Sequence, residues 1–349
     1  MHRRTLTAAT ALAVLLGAGS AAAADSSEIL PLKSTGDMVV DGAHHRVFIS
    51  DPTAGQVVVT DYAGTVVDTV SSLPGVHGLE LSPDSGTLYA AVHDADALVA
   101  IDTATGTESR RYSTGAGAGP AYVALAGGKL WFSYGSSGDG NIGSLDPSAT
   151  DPAVTLDQDT HRTFYEAPIL DASAGAPGTL VAGAPDQSPV ELAVYDVSSG
   201  AASRTAQAFD PGSTGGGNLQ DLAVTPDGQD VVTASGAPYY QAVYKVTDLS
   251  ANGQYVTNTY PNAVDIAPNG DVAAGTFSWY DPDVHVFKPG VSTPLRQYDF
   301  PNTGTSSGAD TLAPAGLAWA PDASKLFAIS ENDSEVYSLR IFDAATKTE

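Results

Sequence analysis

Residues with chemical reach gather at a few places in this chain. Phe277-Ser278-Trp279-Tyr280-Asp281-Pro282-Asp283 sets an indole and a phenol beside two carboxylates, and Tyr239-Tyr240 repeats the aromatic theme. Rigid amphipathic rings flanked by hydrogen-bond acceptors suit a surface that holds a sugar face or a protein loop. His77 and His93 add a pair of imidazoles, with Asp94 next to His93 as an orienting carboxylate. Base catalysis needs more than an imidazole and its carboxylate. Neither a Gly-x-Ser-x-Gly elbow nor a His-Glu-x-x-His pattern accompanies them, so they count as binding candidates and no residue is assigned as catalytic. The chain has no cysteine, which removes disulfides, thiolate metal sites and thiol nucleophiles together.

The elements that must position these groups form a repeat. A turn, a strand ending in small residues, a loop and an apolar strand closing on Asp or Lys recur with closing residues Asp61, Asp102, Asp146, Asp196, Lys245, Lys288 and Asp343. Each copy is introduced by a turn pair such as Asp41-Gly42, Pro83-Asp84, Gly127-Gly128 or Pro321-Asp322, residue types that supply fixed or positive φ. Repeats of about 40 to 50 residues built from short strands predict a β-propeller, because one such sheet cannot bury both faces without neighbours. The fold expected is therefore all-β, with seven four-stranded blades. The last copy runs out of chain before a fourth strand, whereas Glu28-Ile29-Leu30-Pro31-Leu32 has no partner of its own. Ile29 to Leu32 is predicted to close the ring beside Val336 to Asp343.

In this register one face collects the lead-ins to the first strands and the loops between second and third strands. Asp37, His77, Glu166 and Asn262 fall in lead-ins; His93, Tyr239, Tyr240, Trp279, Tyr280, Asp281 and Asp283 fall in the loops, with Tyr134 beside one of them. An acidic and locally aromatic channel mouth is expected, while Trp131 and Trp319 are expected inside the core.

Leu88 to Gly106, and more loosely Val47-Phe48-Ile49-Ser50-Asp51 through Val57-Val58-Val59-Thr60-Asp61, resemble the YVTN-type repeats of bacterial surface-layer and secreted propellers. The resemblance covers the blade framework and implies an exported propeller. Proteins of this shape include non-enzymatic surface proteins, haem-d1 carriers and lactonases. A resemblance to the gluconolactonase group implies an alternative, a calcium-dependent hydrolase with Asp37, Glu166 and Asn262 as metal ligands. Ala315 stands at an equivalent lead-in without a ligand atom. The reading that leads is a binding or interaction scaffold whose mouth takes a carbohydrate or a protein, with calcium as the cofactor only of the alternative.

At the N-terminus Arg3-Arg4, the apolar run Ala8 to Gly17 and Ala22-Ala23-Ala24 form the three parts of an export signal. Residues 1–24 are assigned to it and 25–349 to the propeller, so the protein is expected outside the cell or on its surface, without membrane insertion after cleavage. Loss of Arg3 and Arg4 leaves 13 basic against 40 acidic residues, a formal net charge of −27. Such a surface repels phosphate backbones, which excludes nucleic acid as a partner. A monomer is expected.

Overall fold

The middle strands of every blade are buried at nearly every position rather than at alternate ones, because both of their faces are covered. In Arg46–Asp51, Val47 and Ile49 pack with Phe327, Ile329 and Leu339 on one side. Phe48, which points the other way, packs with Leu79, Leu88 and Val99. A single strand thus feeds two inter-blade cores, as period-2 side chains must when a sheet is sandwiched between two others. Fourth strands face solvent and read accordingly: Thr107–Ser113 buries only Tyr112.

A computed structural model describes residues 26–161, 164–214, 216–305 and 310–344. The chain is a seven-bladed β-propeller of antiparallel sheets; the strands run in chain order from the central channel outwards, except that the outermost strand of blade 7 is the first strand of the chain. The first strands that line the channel are Met38–Asp41, Val76–Leu81, Val123–Ala126, Ile169–Asp171, Gly217–Val224, Tyr260–Ile266 and Thr311–Trp319. Six sheets have four strands, and blade 3 has three, its fourth reduced to a bridge between Ser144 and Thr155. Among the described residues the only helical pieces are the 3₁₀ turns His93–Ala95 and Pro211–Ser213, and no helix is long and apolar enough to cross a membrane. The export signal assigned to residues 1–24 lies outside the described residues.

The aspartates that close the third strands have a local reason to be there. The Oδ1 of Asp61 accepts a hydrogen bond from Ala63 N at 2.9 Å, that of Asp102 from Thr105 N at 2.8 Å, and that of Asp196 from Ser198 N at 2.9 Å. Each carboxylate builds the turn into the fourth strand, the mechanism that favours Asp in turns. Ring closure follows the expected route with a shifted register. Ser26–Ile29, not Ile29 to Leu32, forms the outer strand of blade 7, with Ser26 opposite Ile341 and Ile29 opposite Ser338. The reason is burial: Leu30, whose N–H makes the last bond to Tyr337 O at 2.9 Å, and Leu32 turn inward to fill the core between blades 7 and 1, while Ile29 stays 72% exposed.

Candidate functional site

The central channel holds a cavity of ≈ 540 Å³ that carries carboxylates from five blades: Asp37, Glu80, Asp171, Asp221 and Asp265. They follow one rule. The Oδ1 of Asp37 accepts the N–H of its own neighbour Met38 at 2.7 Å, and its Oδ2 accepts the N–H of Leu79 in the next blade at 2.7 Å. Asp171 bridges Ala172 and Val224 at 2.8 and 2.6 Å, Asp221 bridges Leu222 and Val264 at 2.9 and 2.8 Å, and Asp265 bridges Ile266 and Trp319 at 2.8 and 2.6 Å. Glu80 reaches Leu125 N in the same sense. First strands of neighbouring blades splay apart and do not share a ladder, so their inward amides need acceptors, and these carboxylates provide them.

Burial raises all five acids above the usual carboxylate range, Asp37 and Asp265 to about 6 and Asp171 to about 7; the two amide bonds on each aspartate oppose the shift. Mutual repulsion adds to it, since Asp37 acts on Glu80, Asp171, Asp221 and Asp265. Burial also pushes the Tyr122 phenol well up and lowers His77 to about 4, leaving that imidazole neutral at physiological pH. His77 lies edge-on to Tyr122 at 4.9 Å in the channel wall.

The residues expected at the mouth separate into groups. Trp279 and Tyr280 are exposed, by 55% and 86%, and Tyr239 and Asp281 are exposed beside them. His93 is exposed and its Nδ1 pairs with Asp94 Oδ1 at 2.8 Å, as the sequence suggested. Asp283 is not a surface acceptor. It is fully buried, with its Oδ2 accepting Phe300 N at 2.7 Å, and burial raises its carboxyl to about 8. Tyr240 turns away and packs against the core between blades 4 and 5, and Tyr134 is buried with its hydroxyl accepting Asp157 N at 2.9 Å. Trp131 and Trp319 are in the core.

The three oxygen donors of the calcium alternative are dispersed. Asp37 lines the channel with both oxygens already taking amide protons. Asn262 is buried, donating from Nδ2 to Leu312 O at 2.8 Å, and Glu166 is exposed on its loop; neither lines the channel. Among the described residues no three His, Asp or Glu side chains are grouped to hold a metal ion. The donor set does not fit calcium.

Sequence reasoning missed two features. Asp37 stands at its lead-in as expected, but the other four channel acids lie inside the first strands, and the signal was present: Glu80 and Asp265 each stand three residues before a turn proline, Pro83 and Pro268. The other is that Tyr260 belongs with the mouth aromatics. It is exposed, contacts Tyr239 at 5.4 Å between ring centroids, and pairs across the ladder with Phe277, which in turn contacts Trp279 at 6.0 Å.

No protein-family model matches this chain, and no curated protein matches it. Among solved structures it is similar to the Cps50 (Swd1) β-propeller domain of Myceliophteria thermophila, with a TM-score of 0.66 and 12% identity over 92% of this chain and 100% of that one. It is also similar to hydrazine synthase of Kuenenia stuttgartiensis, with a TM-score of 0.66 and 15% identity over 92% of this chain and 98% of that one. At such identities what is shared is the propeller fold.

Proposed function

We propose that this protein is an exported, monomeric binding scaffold that takes its ligand on the channel rim of blades 5 and 6. The observation that carries the reading is the contrast between the two polar surfaces of the mouth. The channel carboxylates are engaged by backbone amides, whereas five large aromatic side chains on the adjoining rim, Tyr239, Tyr260, Phe277, Trp279 and Tyr280, are left to solvent. Exposed aromatic clusters on a rigid frame mark interaction sites, and loops at one end of a propeller are the part free to vary without disturbing the blades. The N-terminal pattern and the strongly negative charge support export and a partner that is neither nucleic acid nor an anionic lipid surface.

Two measurements test it. Purified protein should co-sediment with isolated cell envelopes or their extracellular matrix, and the double variant Tyr239→Ala/Trp279→Ala should stay in the supernatant while melting at the wild-type temperature. The same preparation should turn over no lactone, ester or glycoside with calcium present. Turnover that disappears with chelator would replace the scaffold by the hydrolase.

A further inference from the structure

Tyr239 with Tyr260 and Phe277 with Trp279 form two exposed ring pairs joined across one strand pairing, and we infer that together they are a stacking platform for an uncharged, extended polysaccharide. The inference rests on the rim being the ligand surface and names the class of ligand. Three strand connections on the same rim supply the rings: Tyr239 from the loop between second and third strands of blade 5, Tyr260 and Phe277 from facing ends of the first two strands of blade 6, and Trp279 from the next loop. Ring contacts of 5.4 Å between Tyr239 and Tyr260, tilted by 54°, and of 6.0 Å between Phe277 and Trp279, tilted by 57°, lie on either side of the cross-strand pair Tyr260–Phe277, so two angled ring pairs are joined through the ladder.

The composition of the platform separates a glycan from a protein. Segments 236–240, 257–262 and 276–283 contain no Leu, Ile, Val, Met, Arg or Lys. Protein interfaces enrich Met and Arg alongside aromatics at their centre, and Arg is one of the three residues that dominate their hot spots. Rings alone, bordered by neutral hydrogen-bonding groups, suit the C–H face and hydroxyl edge of a pyranose. Those groups are present: Asn218 and Asn258 are exposed, and Asn218 lies against Gly236, which Tyr260 also approaches. Charge narrows the ligand further. The domain repels polyanions and a second copy of itself, and Asp281 is the sole formal charge exposed in these segments, so the surface under the rings is itself nearly uncharged.

The platform is also held rigid. A Cβ at Gly236 would stand 3.1 Å from the Tyr260 ring, so the glycine allows that ring to lie close to the backbone. Ser278 Oγ accepts the N–H groups of Tyr280 and Asp281 at 3.2 and 2.9 Å, and Thr276 Oγ1 donates to Pro282 O at 3.0 Å, which fixes the loop that presents Trp279. Preorganised rings lose little entropy when a chain docks.

Affinity electrophoresis through native gels containing hydroxyethyl cellulose or glycol chitin, against gels containing polygalacturonate or heparin, tests the assignment. The neutral polymers should retard the protein and the anionic ones should not. Trp279→Ala and Tyr260→Ala should each weaken retardation roughly tenfold or more, with unchanged melting temperature because the rings are exposed. Tyr260→Phe should retain most of the effect, and Gly236→Ala should lose it by lifting the ring. Retardation by neither neutral polymer, equal retardation of the alanine variants, or stronger retardation by polygalacturonate would overturn the glycan assignment. A concentration-dependent dimer lost in Trp279→Ala would overturn it too and make the face a contact between copies. The two readings fail separately. If the gels are silent while Trp279→Ala still abolishes envelope co-sedimentation, only the ligand class falls; if envelope binding also ignores Trp279→Ala, the rim loses its role altogether.

Discussion

Asp283 shows how a carboxylate in an aromatic loop can serve the loop instead of the ligand. Its Oδ2 takes the Phe300 amide, its Oδ1 has no partner, and burial with Asp299 nearby holds its proton to about pH 8, against the pull of the Phe300 amide and Arg340. An acid raised in the native state lends stability that is complete below its unfolded pKa of about 4 and is lost as pH rises through the folded value. Ionisation of Asp283 should therefore loosen the base of the Trp279 loop above neutrality. Asp283→Asn, which keeps an acceptor for Phe300 N, should melt within a few degrees of wild type at pH 7 and lose less than wild type between pH 7 and pH 9. A steeper alkaline decline in the variant would contradict this role. Sequence made the rings of this loop legible because aromatics at a turn have few other uses; it could not tell Asp281 from Asp283. Two carboxylates two residues apart look alike until a neighbouring strand, here the one leading to Phe300, covers one of them.

At the scale of the element, turn chemistry was the most readable part of the chain. Asp, Asn, Gly and Pro mark the turns because each solves a local backbone problem, and those problems recur with the blade. Edge strands are weaker signals. The fourth strand of blade 3 shrinks to one bridge, and the closing strand is Ser26–Ile29 rather than the more apolar segment after it. Apolar character identified what is buried better than what is paired: the Leu30 and Leu32 side chains sit in the core between blades 7 and 1, and the ladder is made by Ser26–Ile29 before them, ending on the Leu30 N–H. This gives adjacent positions opposite weights. Leu30→Ala should cost about 2–5 kcal/mol in chemical denaturation, as deletion of a buried leucine does. Ile29→Ala, on the solvent side of the same segment, should fall within about 0.5 kcal/mol of wild type. Comparable losses at both positions would mean that ring closure depends on the ladder more than on the core.

The whole molecule is a ring whose seven sheets meet at the channel through side-chain contacts, and the five inward acids are the polar part of that contact. Repeat length and turn positions were enough to read the number of blades, because they are properties of single blades. The acid girdle is a property of blade pairs: each carboxylate makes sense only beside the amide of the following blade, 42 residues on for Asp37 with Leu79 and 54 for Asp265 with Trp319. Its titration gives the molecule an unusual pH profile. With Asp37 and Asp265 raised to about 6 and Asp171 to about 7, and Glu80 and Asp221 raised as well, the native ring binds more protons than the unfolded chain from about pH 4 upwards. Stability then falls as pH rises through that window and levels off above it. The turn aspartates act on the other side. Asp84, Asp102, Asp146 and Asp196 are lowered chiefly by hydrogen bonds from nearby Ser and Thr hydroxyls, so their contribution is present above the unfolded pKa and disappears as pH falls through the lowered values. Together these place the maximum of melting temperature near pH 4–5, and self-repulsion among 40 acidic residues steepens the neutral side. Calorimetry from pH 3 to pH 9 should show the melting temperature declining by several degrees between pH 5 and pH 8, and Asp171→Asn should flatten that limb because its partner amide then meets a group that does not titrate. A melting temperature that rises from pH 5 to pH 8 would show that these carboxylates are ionised in the native ring and that the channel is far wetter than its walls imply.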